Sequence, residues 1–153
     1  MVTEKKFKTV AIIGGGLIGS SLAHSIRENH LCDNLKIFDS KADVRKKLKE
    51  IFNSQEIYEN LNETVTEADL VFLCVPVGSM RVVAKKISNL LKKGCILTDT
   101  VSTKNSVIKD IQPFIKEDVW FIPSHPLAGT ENSGPGAGFP HLFKGKYWVV
   151  VPY

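Results

Sequence analysis

The sequence has little cysteine, and its few cysteines are too widely spaced to form a recognisable set. Three of the 153 residues are cysteine, at Cys32, Cys74 and Cys95, and no two of them form a CxxC pair. An odd and scattered set of thiols excludes a disulfide framework and a zinc site of the usual spacing. We therefore expect buried or incidental thiols in a reducing cytoplasm, and no metal site.

Long apolar runs and a large excess of one charge are also missing. No stretch approaches the roughly 20 apolar residues that span a bilayer. The first ten residues, MVTEKKFKTV, pass from charged residues into a strand without the core and cleavage pattern of a signal peptide. The net charge of +4, from 20 basic and 16 acidic residues, is too small to indicate a nucleic-acid partner. We therefore expect a cytoplasmic protein that binds neither membranes nor nucleic acid.

What the sequence does have is an alternation of β-branched runs and amphipathic stretches, in a length that fits one domain. The predicted strands are Thr9–Ile13, Leu35–Asp39, Leu70–Val75, Cys95–Thr98, Val119–Ile122 and Tyr147–Val151. The predicted helices are Leu17–Glu28, Lys41–Ile51, Ser79–Leu91 and Lys104–Ile115. The segment 52–66 is expected to hold a short strand near Ile57 and a helical turn. This order predicts an α/β fold with a doubly wound, mainly parallel sheet and helices on both faces.

A glycine-rich turn follows the first predicted strand and opens the first predicted helix. Gly14, Gly16 and Gly19 occupy the positions of a GxGxxG pattern, with Leu17 and Ile18 before the last glycine. The first glycine permits a tight turn, the second lets the backbone approach a pyrophosphate, and the third lets helix and strand pack closely. The N–H groups at the helix start suit the phosphates. In this context the pattern predicts a Rossmann-type dinucleotide site at these five residues.

An acidic residue ends the second predicted strand, twenty residues after the last glycine. A carboxylate at Asp39 suits both hydroxyls of an adenosine ribose and repels the 2′-phosphate of NADP. We therefore expect NAD as the cofactor, with NADP less favoured, although Lys41 offsets part of the repulsion. Backbone at Val75 and Pro76 is expected to contact the adenine–ribose side, or else Pro76 simply ends its strand. The alternative for the glycine pattern and Asp39 together is a purely structural turn and a surface aspartate.

Polar residues also follow the strand Cys95–Thr98, in the stretch TDTVSTK. The hydroxyl of Ser102 and the ammonium of Lys104 suit the orientation of a polar substrate or of nicotinamide. Ser102 or Thr103 equally suits the N-cap of the helix that follows. Both possibilities remain open on the residues alone.

His125 follows the strand Val119–Ile122 and opens the stretch HPLAGTENSGPGAGFPHLFKG, which holds three prolines and five glycines in 21 residues. Such a composition excludes a regular helix or a central strand. Oxidation of a hydroxyl needs a base, and imidazole suits that task because it exchanges protons near neutral pH. The other possibility is a plain loop histidine. We expect Leu142 and Phe143 to attach the far end of this stretch to the core.

Together these motifs resemble the amino-terminal domain of the prephenate dehydrogenase family, which includes the arogenate and cyclohexadienyl dehydrogenases of tyrosine biosynthesis. The resemblance is carried by VAIIGGGLIGSSLA, ADLVFLCVPV, TDTVSTK and HPLAGTENSGPGAGFPHLFKGKYWVVVP, from about Lys8 to Pro152. It implies a dinucleotide-binding domain over residues 1–153. It also implies an NAD-dependent enzyme that oxidatively decarboxylates prephenate to 4-hydroxyphenylpyruvate, or acts on arogenate in the same way.

The resemblance further implies roles for single residues. His125 is expected to deprotonate the substrate hydroxyl, and Ser102 helps to hold that hydroxyl and the histidine. Thr130 and Glu131 are expected to line the substrate pocket. The sequence departs from the family at Val101, where glycine is usual, and this affects the backbone path beside Ser102.

Members of the family carry a further helical domain, which supplies dimer contacts and the basic residues that bind the substrate carboxylates. Because this sequence ends at Tyr153, we expect a domain that binds NAD with little turnover alone, from an enzyme that is a homodimer at full length. Two other hypotheses are a different two-domain dehydrogenase, such as a hydroxyacid or imine reductase, and a non-catalytic nucleotide sensor. The HPLAG block disfavours the first, and the joint presence of His125, Ser102 and Glu131 disfavours the second.

Overall fold

The computed structural model describes residues 7–153, so most of the charged start of the sequence, residues 1–6, lies outside the described residues. The strands are β1 (Phe7–Ile13), β2 (Cys32–Phe38), β3 (Leu70–Leu73), β4 (Ile96–Asp99), β5 (Trp120–Ile122), β6 (Ser124–Pro126) and β7 (Trp148–Val150). The α-helices are α1 (Leu17–Glu28), α2 (Ala42–Ile51), α3 (Leu61–Val65), α4 (Met80–Ile87) and α5 (Lys104–Ile111). In this part of the chain no helix is both long and apolar enough to cross a bilayer.

The first five strands form one parallel sheet in the order β2-β1-β3-β4-β5. Ile57 adds an isolated parallel bridge to Ile37 of β2, and the Tyr58 N–H donates to the Ile37 carbonyl at 2.9 Å. Ile57 therefore stands where the third strand lies in the 3-2-1-4-5-6 order of Rossmann domains. The predicted Rossmann-type, doubly wound fold is confirmed, and the short strand expected near Ile57 is a single bridge.

Alternate residues of β1 enter two separate cores, one on each face of the sheet. Val10 and Ile12 pack with residues of α1 and α2, whereas Ala11 and Ile13 pack with residues of α4 and α5. None of these four side chains is more than 2% exposed. Full burial of one isoleucine stabilises the fold by about 1.5–3 kcal/mol. A strand that is apolar on both faces belongs at the centre of a covered sheet, as the run TVAII predicts.

Two predicted helices extend too far. α5 ends at Ile111 and not at Ile115, because Pro113 has no N–H to continue the helix and lies instead in a short 3-10 turn. α4 ends at Ile87, and the predicted helical residues up to Leu91 continue as turns. Leu91 nevertheless remains in the core, at 6% exposure, which is why its apolar spacing suggested a longer helix.

The last predicted strand does not extend the parallel sheet. β7 pairs with β6 in a separate antiparallel ribbon, in which His125 lies opposite Val149. β5 ends at Ile122, and Pro123, which has no N–H to donate, separates it from β6. The sequence predicts that His125 directly follows the last strand of the parallel sheet. It lies instead inside β6, a short strand of the second sheet.

Burial holds two cysteine thiols in their protonated form. It raises the pKa of Cys74 to about 12 and that of Cys95 to about 11. Since the thiolate is the reactive form, we expect both thiols to react with Ellman's reagent at pH 8 only after unfolding. The test compares the number of thiols that react with the reagent in the folded chain and in the chain unfolded by guanidinium chloride. The Cys95→Ala variant identifies the contribution of Cys95. Rapid modification of two or more thiols in the folded chain would contradict it.

Candidate functional site

Two glycines where β1 passes into α1, one in the connecting turn and one in the first turn of the helix, are required by the packing of the chain itself. Gly14 has a φ of +103°, and a Cβ there would lie 2.2 Å from the carbonyl oxygen of Cys74. A Cβ on Gly19 would lie 1.9 Å from the carbonyl oxygen of Gly14. Both distances are far below van der Waals contact, so β1, α1 and the end of β3 approach this closely only because both residues are glycine.

Gly16 differs, because nothing in the described chain requires it. Its φ is −74°, and a Cβ there would meet no atom within 4 Å. Gly16 is the N-cap residue of α1, and the first N–H groups of a helix have no intrahelical partner. The open space above this glycine and the helix N-terminus beneath it fit a pyrophosphate that approaches the backbone closely.

The carboxylate of Asp39 is fixed beside this turn. Its Oδ2 accepts from the Gly15 N–H at 2.8 Å, and its Oδ1 accepts from the Lys41 N–H at 2.9 Å. A carboxylate oxygen accepts more than one hydrogen bond, so both oxygens retain capacity for the hydroxyls of a ribose. The glycine turn and the predicted ribose acceptor are thus one hydrogen-bonded unit.

A cation also reaches the end of β2, and it comes from a residue that the sequence analysis did not select. The guanidinium of Arg45 donates to the carbonyl oxygens of Asp39 and Ser40, at 2.8 and 3.1 Å, and to Glu59 at 2.7 Å. The sequence pattern indicated only Lys41 as a basic residue near the ribose. Arg45 lies one helical turn beyond Lys41 on α2, and that spacing is the signal that would have indicated it.

The other predicted cofactor residues surround the same turn. The Cys74 N–H donates to the Ile13 carbonyl at 2.7 Å, which sets Val75 beside Gly14. Val75 is half-buried, whereas Pro76 is exposed and precedes a short 3-10 turn. Leu17 and Ile18 form the first turn of α1 and are half-buried. The contacts of these four residues with a cofactor stay predictions.

His125 is oriented by the backbone at the end of β4. Its Nδ1 lies 2.9 Å from the carbonyl oxygen of Thr100, and the residue is half-buried. A carbonyl only accepts, so Nδ1 carries the proton and Nε2 is the unprotonated nitrogen of the neutral ring. The Thr100 hydroxyl in turn donates to the Leu73 carbonyl at 3.4 Å. His125 is therefore connected, through Thr100, to the ends of β4 and β3.

Ser102 and Lys104 have different surroundings. Ser102 is exposed, two residues after the carbonyl that holds His125. The N-cap of α5 is Thr103, whose side chain makes no capping hydrogen bond. Lys104 forms an ion pair with the fully buried Asp99, and its ammonium also donates to the Ser124 carbonyl at 2.6 Å. Its contact with a substrate or with nicotinamide stays a prediction. A shallow depression of about 350 Å³ opens at the start of α5 and is lined by Thr103, Lys104, Asn105 and Ser106.

Thr130 and Glu131 lie on an exposed turn after β6. The Thr130 hydroxyl accepts a hydrogen bond from the Asn132 N–H at 3.2 Å. This contact shapes the turn. Their place in a substrate pocket stays a prediction.

The glycine- and proline-rich stretch packs against the helix that follows the nucleotide turn. A Cβ on Gly138 would lie 2.0 Å from the Ser20 hydroxyl oxygen, and the Phe139 N–H donates to the Ser21 hydroxyl at 3.1 Å. Ser20 and Ser21 are completely buried as a result. At its far end Leu142 is 4% exposed, which confirms that this part of the stretch is attached to the core.

Three polar residues near His125 were missed by sequence reasoning. Thr98 and Trp148 are each hydrogen-bonded to the hydroxyl of Ser124, the residue before the histidine. A threonine inside the apolar strand ILTD and a serine between Pro123 and His125 were the available signals. Within residues 7–153 no group of three or more His, Cys, Asp or Glu residues is placed to hold a metal ion.

Comparison with known proteins agrees with this geometry. Residues 22–153 match the family model of the prephenate dehydrogenase nucleotide-binding domain. The cyclohexadienyl dehydrogenase of Zymomonas mobilis is 42% identical over 146 residues, which cover 95% of this chain and 50% of the relative.

Two solved structures share the fold. Prephenate dehydrogenase from A. aeolicus, in complex with hydroxyphenyl propionate and NAD+, superposes with a TM-score of 0.87 at 27% identity, over 99% of this chain and 52% of its own. Synechocystis arogenate dehydrogenase gives a TM-score of 0.83 at 26% identity, over 95% of this chain and 50% of its own. The chain spans about half the length of the curated relatives it matches. The family match covers most of the chain, which therefore belongs to the prephenate dehydrogenase nucleotide-binding domain family.

Proposed function

We propose that the chain is the NAD-binding domain of a prephenate dehydrogenase, which oxidatively decarboxylates prephenate to 4-hydroxyphenylpyruvate for tyrosine biosynthesis. One observation carries the proposal. The imidazole of His125, held in its Nδ1–H tautomer by the carbonyl of Thr100 just after β4, and a turn shaped for a pyrophosphate just after β1 both lie at the carboxyl edge of one parallel sheet. That edge is where doubly wound sheets bind their ligands.

The nucleotide is held by residues of the first two strand ends. The N–H groups at the start of α1 bind the pyrophosphate across the open face of Gly16. Asp39 accepts hydrogen bonds from the adenosine ribose, and its fixed carboxylate disfavours a 2′-phosphate. NAD+, when bound, supplies the hydride acceptor of the reaction.

The residues around β4 and β6 act on the substrate. Nε2 of His125 accepts the proton of the substrate hydroxyl, because Nδ1 is already protonated toward Thr100. Ser102 hydrogen-bonds the same hydroxyl, and Thr130 and Glu131 border the ring. The hydroxyl becomes a carbonyl as its ring carbon gives up a hydride to the acceptor. Departure of the ring carboxylate as CO2 then leaves its electron pair in the ring, and the carbonyl oxygen becomes a phenolate that regains a proton, so aromatisation drives the reaction forward.

Arogenate is the second candidate substrate. The 42% identity to a cyclohexadienyl dehydrogenase and the fold shared with an arogenate dehydrogenase both favour testing it. The two substrates undergo the same ring chemistry, so the described catalytic residues serve either one.

The proposal is tested by assaying NADH formation with prephenate and with arogenate, using NAD+ and NADP+ in turn. We expect turnover by the native polypeptide that contains these residues, and NAD+ binding without substantial turnover by residues 1–153 alone. Rapid turnover of prephenate by the 153-residue chain would contradict the domain assignment. Binding of NAD+ with no turnover of either substrate by the native polypeptide would favour a nucleotide sensor.

Asp39 sets the cofactor preference, which a single substitution tests. Asp39→Asn removes the charge but keeps one carbonyl acceptor, so we expect NAD+ affinity to fall about tenfold and the preference over NADP+ to shrink. Isothermal titration of the chain with each dinucleotide measures both. The matched control is Asp43→Asn, an exposed carboxylate in the first turn of α2, which should leave both affinities unchanged. Equal losses for NAD+ and NADP+ would argue against recognition of the ribose.

The family resemblance also suggests the oligomeric state and the cellular location of the native enzyme. We propose that it is a homodimer, which sedimentation velocity tests, and that it is cytoplasmic, which fractionation of its native cells tests.

A further inference from the structure

Ser124, the residue before His125, uses all of the hydrogen-bonding capacity of its side chain. It is 2% exposed. Its Oγ lies 2.8 Å from the Thr98 hydroxyl, 2.8 Å from the Asp99 carbonyl oxygen and 2.9 Å from Nε1 of Trp148. A hydroxyl donates one hydrogen bond and accepts two, so these three contacts saturate it.

The direction of each bond follows from the partners. The Asp99 carbonyl only accepts, so it takes the single proton of Ser124. The Trp148 indole only donates, so it fills one acceptor position. Thr98 must then donate to the second. Ser124 has no capacity left for a substrate, and the role of its hydroxyl lies in joining three elements: β4, β6 and β7.

The backbone of Ser124 is held as firmly as its side chain. Its N–H donates to Oδ1 of Asp99 at 3.2 Å, and its carbonyl accepts from the Lys104 ammonium at 2.6 Å. Asp99 is fully buried and paired with Lys104, whose side chain is 13% exposed. The peptide that leads into His125 is therefore fixed from the end of β4 and from the start of α5.

His125 depends on the same strand end for its tautomer. The carbonyl that holds its Nδ1 belongs to Thr100, the residue after Asp99. The attachment of Ser124 to Thr98 and Asp99 therefore contributes to the distance between this carbonyl and the imidazole. Loss of the Ser124 hydroxyl would remove both of these side-chain bonds between β6 and β4 and leave the Trp148 N–H without its partner, while the backbone contacts of Ser124 with Asp99 and Lys104 remain.

We infer that the hydroxyl of Ser124, joined to Thr98 and Trp148, is a positioning group that holds His125 in the Nδ1–H tautomer and keeps Nε2 available as the base. Ser124 does not touch the reacting atoms. The inference rests on the proposed function only in the use made of Nε2. The tautomer itself is a property of the 153-residue chain and is measured without substrate or cofactor.

The direct test is long-range ¹H–¹⁵N correlation of histidine-labelled chain at pH 8. We expect His125 to show the Nδ1–H tautomer in the native chain and to shift toward the mixture of an unrestrained histidine in Ser124→Ala. In the native polypeptide the same substitution is expected to lower kcat about 10- to 100-fold, since small misplacements of a catalytic group have effects of this size. KM for NAD+ and prephenate should stay within about twofold.

Matched variants separate positioning from general damage. Ser88→Ala removes a hydroxyl that donates to the Lys85 carbonyl on α4, and it should change neither the tautomer nor kcat. Trp148→Phe removes one donor to Ser124 and keeps an aromatic ring beside Phe72 and Phe143, so it should give a smaller shift in the same direction. The double variant should be no worse than Ser124→Ala, because both act on one network.

An unchanged tautomer in Ser124→Ala would overturn the inference. If Ser124→Ala does not fold, Trp148→Phe decides, and an unchanged tautomer there has the same meaning. A shifted tautomer together with full turnover by His125→Ala would leave the positioning intact and contradict the proposed base. The failures of the two proposals are therefore distinguishable.

Discussion

Replacing His125 by alanine is expected to lower kcat of the native polypeptide by about 10²–10⁴-fold, the usual contribution of a general base. The fixed Nδ1–H tautomer leaves Nε2 as the only proton acceptor of the neutral ring. Affinity for NAD+ should be unchanged, because the glycine turn and Asp39 form their own hydrogen-bonded unit. Stopped-flow measurement of NADH formation and titration with NAD+ give the two quantities.

His141 provides the matched control for this substitution. It lies on the same glycine- and proline-rich stretch but is exposed, with its Nε2 3.3 Å from a carboxylate oxygen of Glu28. His141→Ala should retain turnover. Loss of activity in both variants would point to disruption of the stretch, and full activity of His125→Ala would remove the histidine from the mechanism.

The second large effect is a contrast between two glycines of the same turn. Gly19→Ala is expected to destabilise the chain by at least about 1–3 kcal/mol, as overpacking does, because the new Cβ meets the Gly14 carbonyl at 1.9 Å. Gly16→Ser should leave the free energy of unfolding nearly unchanged, because serine is a favoured N-cap and the space there is open. It should nevertheless weaken NAD+ binding roughly tenfold or more, since the side chain would occupy the space of a phosphate contact.

Urea unfolding and isothermal titration separate the two outcomes. A Gly16→Ser chain that is stable and binds NAD+ normally would show that the pyrophosphate lies elsewhere. A Gly19→Ala chain of undiminished stability would show that β1 and α1 separate easily. Both measurements are made on both variants, so that each variant serves as the control for the other.

The sheet and the nucleotide turn were predictable because their causes are local. The runs TVAII and LVFLCV are apolar on both faces, and only a covered parallel sheet accommodates them. The GxGxxG pattern contains its own steric reasons, which Gly14 and Gly19 display in the structure. Asp39 was found because its distance from the turn follows from the length of one helix and one strand.

The surroundings of His125 were less predictable because they depend on distant parts of the chain. Trp148 reaches Ser124 across 24 residues, and Thr98 reaches it across 26. No periodicity records such contacts. The antiparallel ribbon escaped prediction for a related reason, since three residues of β7 carry no signal that distinguishes a ribbon from a sixth parallel strand. Thr130 and Glu131 gain their expected role from family resemblance, and their exposed turn leaves that role to experiment.

The burial of Ser20 and Ser21 beneath Gly138 and Phe139 has a consequence for synthesis of the chain. The Phe139–Ser21 contact spans 118 residues, so this part of α1 lacks its native cover until residue 139 has left the ribosome. Long-range closures of this kind form late in folding. The nascent chain therefore carries its nucleotide turn on an incompletely packed helix until residue 139 is available, and early capture of the dinucleotide would stabilise this part of the domain before that contact forms.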